Sequence, residues 1–259
     1  MPRMLYEIIL PLFAGHIFGD FIFQTEDEVK QKSRIIILLK HSLIVGFVSY
    51  VLFGVYQAWH AGLAIFIFHA LIDFLKSKRR EDSIKVFISD QCAHLVVIII
   101  ISTIIWSQGL YPMQVIWIQL MGRWYYPTLL VLTGAVICVV VNGHIVGLIV
   151  KPLLDQIETS NREKSAGSHD LSAMHARGLK DGGKIIGHLE RALIYIFILV
   201  NQPEAIGFLI AAKSVFRFGE IRDKSNRMEA EYIIIGTLYS FLFGLIVAYT
   251  IQRLLSRIN

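Results

Sequence analysis

The chain has 259 residues, of which 55% are hydrophobic and only 17% are charged, and its mean hydropathy is +0.58. This composition is too apolar for an ordinary water-soluble domain and predicts a membrane protein. The net charge of +5 is modest, and the basic residues fall between apolar segments, which excludes a nucleic-acid-binding stripe. The chain has only two cysteines, Cys92 and Cys138, which excludes a disulfide framework and a zinc–thiolate site.

The predicted elements are helices that cross or enter a membrane. The first segment, residues 5–23, has no small-residue cleavage signature, so we expect a retained span and not a signal peptide. Later apolar segments approach the ~20 residues that cross a bilayer as a helix. The sequence therefore predicts an all-α polytopic transmembrane helix bundle of about eight membrane segments. The clearest later segments are 35–56, 93–106, 127–150 and 232–251.

Composition divides the chain into three parts. Residues 1–150 form a five-span N-terminal half, and residues 151–184, rich in Ser, Gly, Asp and basic residues, are predicted as a cytoplasmic polar loop. Within that loop, residues 171–179 could form a short interfacial helix. Residues 185–259 form a C-terminal membrane half and end in a long helix predicted over residues 230–255.

The C-terminal half opens with two apolar segments, residues 185–200 and 205–216, which are short for a full crossing. They are predicted as tilted spans or as a re-entrant hairpin, which a membrane tolerates only when protein buries it. Glu190 and Lys213 are flanked by long apolar runs, where an isolated charge is costly. We therefore predict a buried ion pair of Glu190 with Lys213 or Arg217.

Basic residues alternate between successive connections. They are frequent in residues 25–34 and 76–85 and nearly absent from residues 57–62 and 107–126. Because cytoplasmic loops carry an excess of Lys and Arg, this alternation predicts an N-terminus outside and basic connections in the cytoplasm. We expect a multi-pass membrane protein whose positive charge contacts lipid headgroups.

Each of the first four apolar segments carries a histidine, and these histidines are predicted to lie at one depth. Successive helices of a hairpin run in opposite directions, so the end of one segment and the start of the next lie in the same leaflet. With the predicted orientation, this is the cytoplasmic leaflet. The motifs are His16-x3-Asp20-x3-Gln24, His41, His69-x3-Asp73-x2-Lys76 and Asp90-Gln91-x2-His94.

This pattern favours a metal site assembled between four helices. An i, i+4 spacing places His and Asp on one helix face, and polar groups at this depth are usually kept for a function. Imidazole and carboxylate are ligands of zinc and neighbouring metals, so we expect a divalent cofactor, with zinc preferred. The alternatives are a proton relay and a structural polar network. The candidate ligands are His16, Asp20, His41, His69, Asp73, Asp90 and His94.

Seven candidates exceed the four ligands of a structural zinc ion. Either two metals share carboxylates, or one metal is surrounded by carboxylates that orient its imidazoles. A carboxylate that is not a ligand could act as general base, which makes Asp20, Asp73 and Asp90 the candidate catalytic residues. Lys76 could extend to the interface or bind an anion over the site. The candidate substrate-binding residues are Gln24, Lys76 and Gln91.

The other polar residues have simpler interpretations. Asn142 and His144 end the fifth segment near the same layer, but nearby glycines favour close helix packing over a role in the site. His60, His169 and His175 lie in connections and are expected to be solvated or interfacial.

The motifs also carry a resemblance over nearly the whole chain. In their order they resemble an uncharacterised bacterial inner-membrane family known only as a domain of unknown function, and the tract 202–214, with residues 217–222 and 230–238, is similar to its C-terminal signature. That resemblance implies no activity. Short histidine motifs at helix ends are also similar, more weakly, to membrane-bound metal-dependent hydrolases.

Three functions follow from these observations. The first is a metal-dependent hydrolase acting on a lipid or lipid-linked substrate, whose anionic group Lys76 and residues 78–80 would hold. The second is a metal-ion or proton transporter, against which the confinement of polar groups to one leaflet argues. The third is a scaffold or sensor that binds a cytosolic partner through residues 151–184.

Overall fold

A computed structural model gives the fold of the chain. It describes residues 3–31, 34–78, 83–109, 115–166, 181–217 and 227–258, and in these residues it contains helices and no strand. The prediction of an all-α protein is thus confirmed. The chain divides into two compact units: Met1–Val136 with Leu254–Asn259, and Ile137–Arg253. The boundary between Val136 and Ile137 falls earlier in the chain than the boundary expected at residue 150.

Five helical segments are long and apolar enough to cross a membrane, which makes this a membrane protein. The helices α1 (Arg3–Phe21), α9 (Gly182–Leu199) and α10 (Glu204–Arg217) coincide with three further predicted segments that are not among these five. The five segments are Ile35–Phe53, Tyr56–Ser77, Ile84–Ser107, Ile116–Ser160 and Ala230–Ile258.

Four helices of the first unit pack in a ring. They are α1, α3 (Ile35–Phe53), α4 (Trp59–Ser77) and α5 (Ile84–Ser107), and each contacts the next, with α5 returning to α1. The buried faces of these helices carry the motif histidines and aspartates, whereas their outer faces expose large apolar side chains. This is the arrangement expected when lipid surrounds a ring of helices and the polar groups turn inward.

Small residues let α1 and α3 approach closely. A Cβ atom on Gly15 would lie 2.4 Å from the backbone Cα of Ser49, and one on Gly19 would lie 2.6 Å from a methyl group of Val45. Such close approach is typical of helix pairs in membranes. Gly15 and Gly19 precede His16 and Asp20 directly, so the closest part of this contact brings the motif of α1 against α3.

The connection between α1 and α3 contains the short helix α2 (Glu26–Lys30). Its N-terminus is a capping box in which Thr25 and Glu28 satisfy each other's backbone N–H groups. Lys40 Nζ donates to Glu28 Oε1 over 2.7 Å, and this contact with the Thr25 hydrogen bonds lowers the pKa of Glu28 to about 2. The predicted basic connection is therefore partly neutralised where it meets α3.

The fifth predicted span is longer than expected. The run of helix comprises α6 (Ile116–Met121), a 3-10 turn, α7 (Tyr125–Val136), a π-helical segment (Ile137–Val141) and α8 (Asn142–Ala166). In the first unit, the hydroxyl of Tyr125 donates to the carbonyl of Leu52, and Trp117 Nε1 donates to that of Val51 over 2.6 Å. These bonds satisfy carbonyls that the last turn of α3 leaves without helical partners.

The prediction that residues 151–184 form a loop is wrong for residues 151–166, which continue α8. The apolar residues Val150, Leu153 and Ile157 recur at helical spacing, and Val150 and Ile157 are buried. The high average polarity of these residues predicted a loop, although their apolar residues have the spacing of an amphipathic helix. The interfacial helix predicted at residues 171–179, His169 and His175 lie outside the described residues, as do residues 79–82 and 218–226.

The second unit packs the π-helical segment and α8 against α9, and α9 against α10. Arg191 is buried; its Nε donates to the carbonyl of Val139 over 2.9 Å and its Nη1 to the hydroxyl of Ser240 over 3.2 Å. Asn142 Nδ2 donates to the Ser240 carbonyl over 3.0 Å. Asn142 thus has the packing role favoured from sequence, and Arg191 satisfies a carbonyl of the π-helical segment.

The predicted ion pair of the C-terminal half is present. Lys213 Nζ lies 2.6 Å from Glu190 Oε2, with side chains 17% and 11% exposed. This contact crosses from α10 (Glu204–Arg217) to α9. Each charge neutralises the other within an apolar environment, so losing one partner leaves a buried charge uncompensated.

We expect Glu190→Lys or Lys213→Glu alone to lower the amount of folded protein in the membrane, because each puts two like charges together. The double variant with both substitutions should restore it. Size-exclusion profiles of detergent-extracted protein measure this. Glu204→Lys, at an exposed position of α10, is the control for a change of charge alone. A double variant as poorly folded as the worse single variant would refute the pairing.

Candidate metal centre

The motif residues converge in the interior of the first unit. α1 supplies His16 and Asp20 near its end, and α3 supplies His41 near its start. α4 supplies His69 and Asp73, and α5 supplies Asp90 and His94. All seven predicted ligands thus come from four helices of one ring. Six of them are buried, and the Asp20 side chain is 9% exposed.

Asp20, His41, His69 and Asp73 form a tight cluster, which we call the central group. His41 Nε2 lies 3.1 Å from Asp20 Oδ1 and 3.1 Å from His69 Nε2, and His69 Nε2 lies 3.3 Å from the same Asp20 oxygen. Asp73 Oδ2 lies 3.5 Å from His69 Nε2 and 3.7 Å from His41 Nε2. One oxygen of Asp20 and one of Asp73 therefore each lie 3.1–3.7 Å from the same two imidazole nitrogens.

These separations match a tetrahedral metal site. Ligand atoms ~2.0–2.1 Å from a tetrahedral zinc ion lie ~3.3 Å from each other. The nitrogen–nitrogen and nitrogen–oxygen separations in the central group run from 3.1 to 3.7 Å. Without an ion, the same contacts are hydrogen bonds, from His41 to Asp20 and between His69 and His41. One cation at the centre would satisfy all four atoms.

His94 presents a further ligand atom beside the central group. Its Nδ1 donates a hydrogen bond to the carbonyl of Asp90 over 2.9 Å, so the proton of the neutral ring is on Nδ1. Its Nε2 is buried and has no hydrogen-bond partner among the described residues. A backbone acceptor that fixes the tautomer in this way is typical of metal-binding histidines.

Asp90 is held by only one of its oxygens. Lys76 Nζ donates to Asp90 Oδ2 over 2.7 Å, and Gln91 Nε2 donates to the same oxygen over 3.3 Å. The other oxygen, Oδ1, is buried and has no hydrogen-bond partner in the described part of the chain. Asp73, Asp90 and His94 each offer a ligand atom within 4.8 Å of the other two.

His16 lies between these groups. Its ring stacks on that of His94, with centroids 4.7 Å apart and planes at 22°. Its Nε2 donates to Gln91 Oε1 over 3.3 Å, while its Nδ1 lies 3.9 Å from Asp20 Oδ2. His16, His69 and His94 together form another group whose ligand atoms lie within 4.8 Å of one another. His16 and His94 therefore face the same interior.

The predicted substrate-binding residues occupy different positions. Gln91 bonds within the site, to His16 and Asp90. Lys76 is half-buried, and its pairing with Asp90 was missed from sequence, although both residues lie at helix ends assigned to one layer. Gln24 is half-buried, and its Nε2 has no hydrogen-bond partner among the described residues.

The remaining histidines lie outside this cluster. His60, expected in a connection, lies in the first turn of α4 and is half-buried. His144 is exposed on α8, in the second unit.

The arrangement suits a divalent cation chemically. Imidazole nitrogen and carboxylate oxygen are borderline-to-hard ligands that bind zinc and neighbouring metals. Groups of ligand atoms spaced for an ion recur three times in this interior, and the residues are buried by the helix ring. The residues present can therefore hold a metal ion, and they leave open which ion it is.

The family comparison matches the part of the chain that carries this site. Residues 8–122 match a family model described as "Protein of unknown function (DUF3307)". The resemblance to an uncharacterised family is thereby confirmed over all four motifs, whereas the similarity to metal-dependent hydrolases is unsupported. The predicted C-terminal signature lies outside the matched residues. Neither the curated proteins nor the solved structures include a match to the chain.

Proposed function

We propose that the protein is a metal-dependent hydrolase of the bacterial inner membrane that acts on a lipid or lipid-linked substrate. The observation that carries this proposal is the central group, in which Asp20 and Asp73 each place an oxygen 3.1–3.7 Å from the Nε2 atoms of His41 and His69. A zinc ion is the divalent metal whose geometry and ligand preference fit this set best.

The chemistry follows from the groups around the ion. A divalent ion of this class polarises an acyl or phosphoryl oxygen and makes a bound water acidic. Asp90 and His94 border the central group, and each has a buried polar atom with no hydrogen-bond partner among the described residues, so the attacking water would be held on this side of the site. Lys76 donates to the other oxygen of Asp90, which orients the carboxylate.

The surroundings of the site favour a substrate from the membrane. Outward-facing side chains of the ring are apolar, for example Phe47, Leu71 and Ile99. A lipid can approach such a surface laterally, and its headgroup would then reach the polar layer that holds the site. Lys76, whose side chain is 32% exposed, and the exposed Lys78 supply positive charge for an anionic headgroup there.

The transporter alternative is less well supported. The other buried hydroxyls of α3 bond to helix carbonyls: Ser42 to Leu38 within its own helix, and Ser49 to Leu12 of α1. Among the described residues of the first unit, the buried histidines and aspartates are confined to the candidate metal site. A conducting path requires polar groups through both leaflets.

We expect the lipid composition of cells that produce the protein to change in a metal-site-dependent way. A lipid or lipid-linked species should fall and its hydrolysis product should rise with the wild-type protein. The change should be absent with His41→Ala, which removes a central ligand, and present with His144→Ala, the matched exposed histidine. Untargeted mass spectrometry of extracted membranes measures this. Identical lipid profiles for wild type and His41→Ala, with both proteins inserted, would contradict the hydrolase function.

A further inference from the structure

Two buried acceptor atoms beside the central group, His94 Nε2 and Asp90 Oδ1, have no hydrogen-bond partner among the described residues. His94 Nε2 carries a lone pair because the ring proton is on Nδ1, and Asp90 Oδ1 is a carboxylate oxygen. Two acceptors cannot hydrogen bond to each other, and leaving both buried without a partner costs free energy. Both atoms are of the kind that a divalent cation accepts as ligands.

We propose that His94, Asp90 and Asp73 hold a second divalent cation, so that the site is a two-metal centre. The ligand atoms of these three residues lie within 4.8 Å of one another, and all three residues are buried. The proposal rests on the proposed function, because it concerns the same site. The seven candidate ligands permit either two metals that share carboxylates or one metal surrounded by carboxylates that orient its imidazoles. The proposal is the first of these arrangements.

Asp73 is the carboxylate that the two positions share. Its Oδ2 lies 3.5 Å from His69 Nε2 in the central group, and the residue also belongs to the group with Asp90 and His94. A carboxylate has two oxygens and can ligate two ions at once. In hydrolases with two metals, a bridge of this kind holds the ions ~3.5–4 Å apart.

The two positions differ in their number of protein ligands. The central group supplies four, which fills a tetrahedral ion, whereas the second position receives three. A site with three protein ligands keeps a place for water or substrate, as catalytic zinc sites do. Lys76 and Gln91 occupy Asp90 Oδ2, so Asp90 can bind the cation only through Oδ1. A cation held by these three residues would be the one with room for the attacking water and the substrate oxygen.

Metal counting on the purified full-length protein tests this inference without any activity assay. The protein is loaded with Co²⁺, passed through a desalting column and analysed for bound cobalt and for its electron paramagnetic resonance spectrum. We expect two ions per chain and a spectrum of exchange-coupled Co²⁺ in the wild type. Asp90→Asn and His94→Ala should each retain one ion, with the spectrum of an isolated Co²⁺, and His144→Ala should retain the coupled pair.

The outcomes separate this inference from the proposed function. One ion per chain in the wild type, unchanged in Asp90→Asn and His94→Ala, would overturn the second position and leave the central metal in place. No bound ion in the wild type would overturn both proposals. Asp90→Asn keeps the size of the side chain, so it decides the question even if His94→Ala fails to fold.

Discussion

Replacing His69 by alanine should remove the metal ion from the central group and abolish hydrolysis while the protein stays in the membrane. His69 Nε2 lies within 3.1–3.5 Å of the three other ligand atoms, so its loss breaks the coordination set. Changing groups that only support a metal ligand costs ~10–100-fold in metal affinity or activity, and losing a ligand should cost more. Insertion should persist because the apolar spans still partition into lipid.

Competition with a chelator of known affinity measures the metal dissociation constant of each variant. Asp20→Asn is the most discriminating companion, because it keeps the size of the side chain while removing its charge. Lys76→Ala should retain the metal and weaken activity less, since Lys76 contacts Asp90 and no atom of the central group in the described residues. Metal binding at wild-type affinity in both His69→Ala and Asp20→Asn would refute the central site.

Gly15→Ala should destabilise the protein and disrupt the metal centre, although alanine is the better helix former. The new Cβ would lie 2.4 Å from Ser49 Cα and 2.6 Å from Ser49 N, and these backbone atoms cannot rotate away. Overpacking of this kind costs ~1–3 kcal/mol, occasionally more. Because α1 must move away from α3, Asp20 should separate from His41, and metal affinity should fall together with the melting temperature.

Gly147→Ala is the matched control, since it lies inside helix α8 and its Cβ would meet nothing within 4 Å. It should stabilise its helix by up to ~1 kcal/mol through propensity. Thermal unfolding in detergent compares the two variants. Adding Ser49→Gly to Gly15→Ala should restore little of the lost thermal stability, because the clash involves the backbone of Ser49 as well as its side chain. A Gly15→Ala protein as stable as Gly147→Ala would show that the helices are not in close contact.

The cluster of motif residues was predictable because it depends on local geometry. The i, i+4 spacing of His16 with Asp20 and of His69 with Asp73 puts each pair on one face of any helix. The alternating direction of successive spans then places helix ends and starts in one layer. Both arguments hold for any membrane bundle, so they needed no knowledge of which helices are neighbours.

The extent of α8 was not predictable from average polarity. Residues 151–166 are mostly polar, yet Val150 and Ile157 are buried on one side of a continuing helix. A helix outside the hydrocarbon can expose its polar face to water, so low hydropathy there marks the end of a membrane span and not the end of the helix. Glu190 with Lys213 was found because a charge within an apolar run demands a partner.

The sequence alone determined that this is an all-α membrane protein and that its histidines and aspartates share one layer, because hydropathy and helical spacing are properties of neighbouring residues. Tertiary structure decided which atoms meet. The close approach of Gly15 to Ser49 sets the distance between α1 and α3, and the pairing of Lys76 with Asp90 leaves one carboxylate oxygen free. Such distances depend on how residues far apart in the chain pack, and spacing along one helix carries no information about the neighbouring helix.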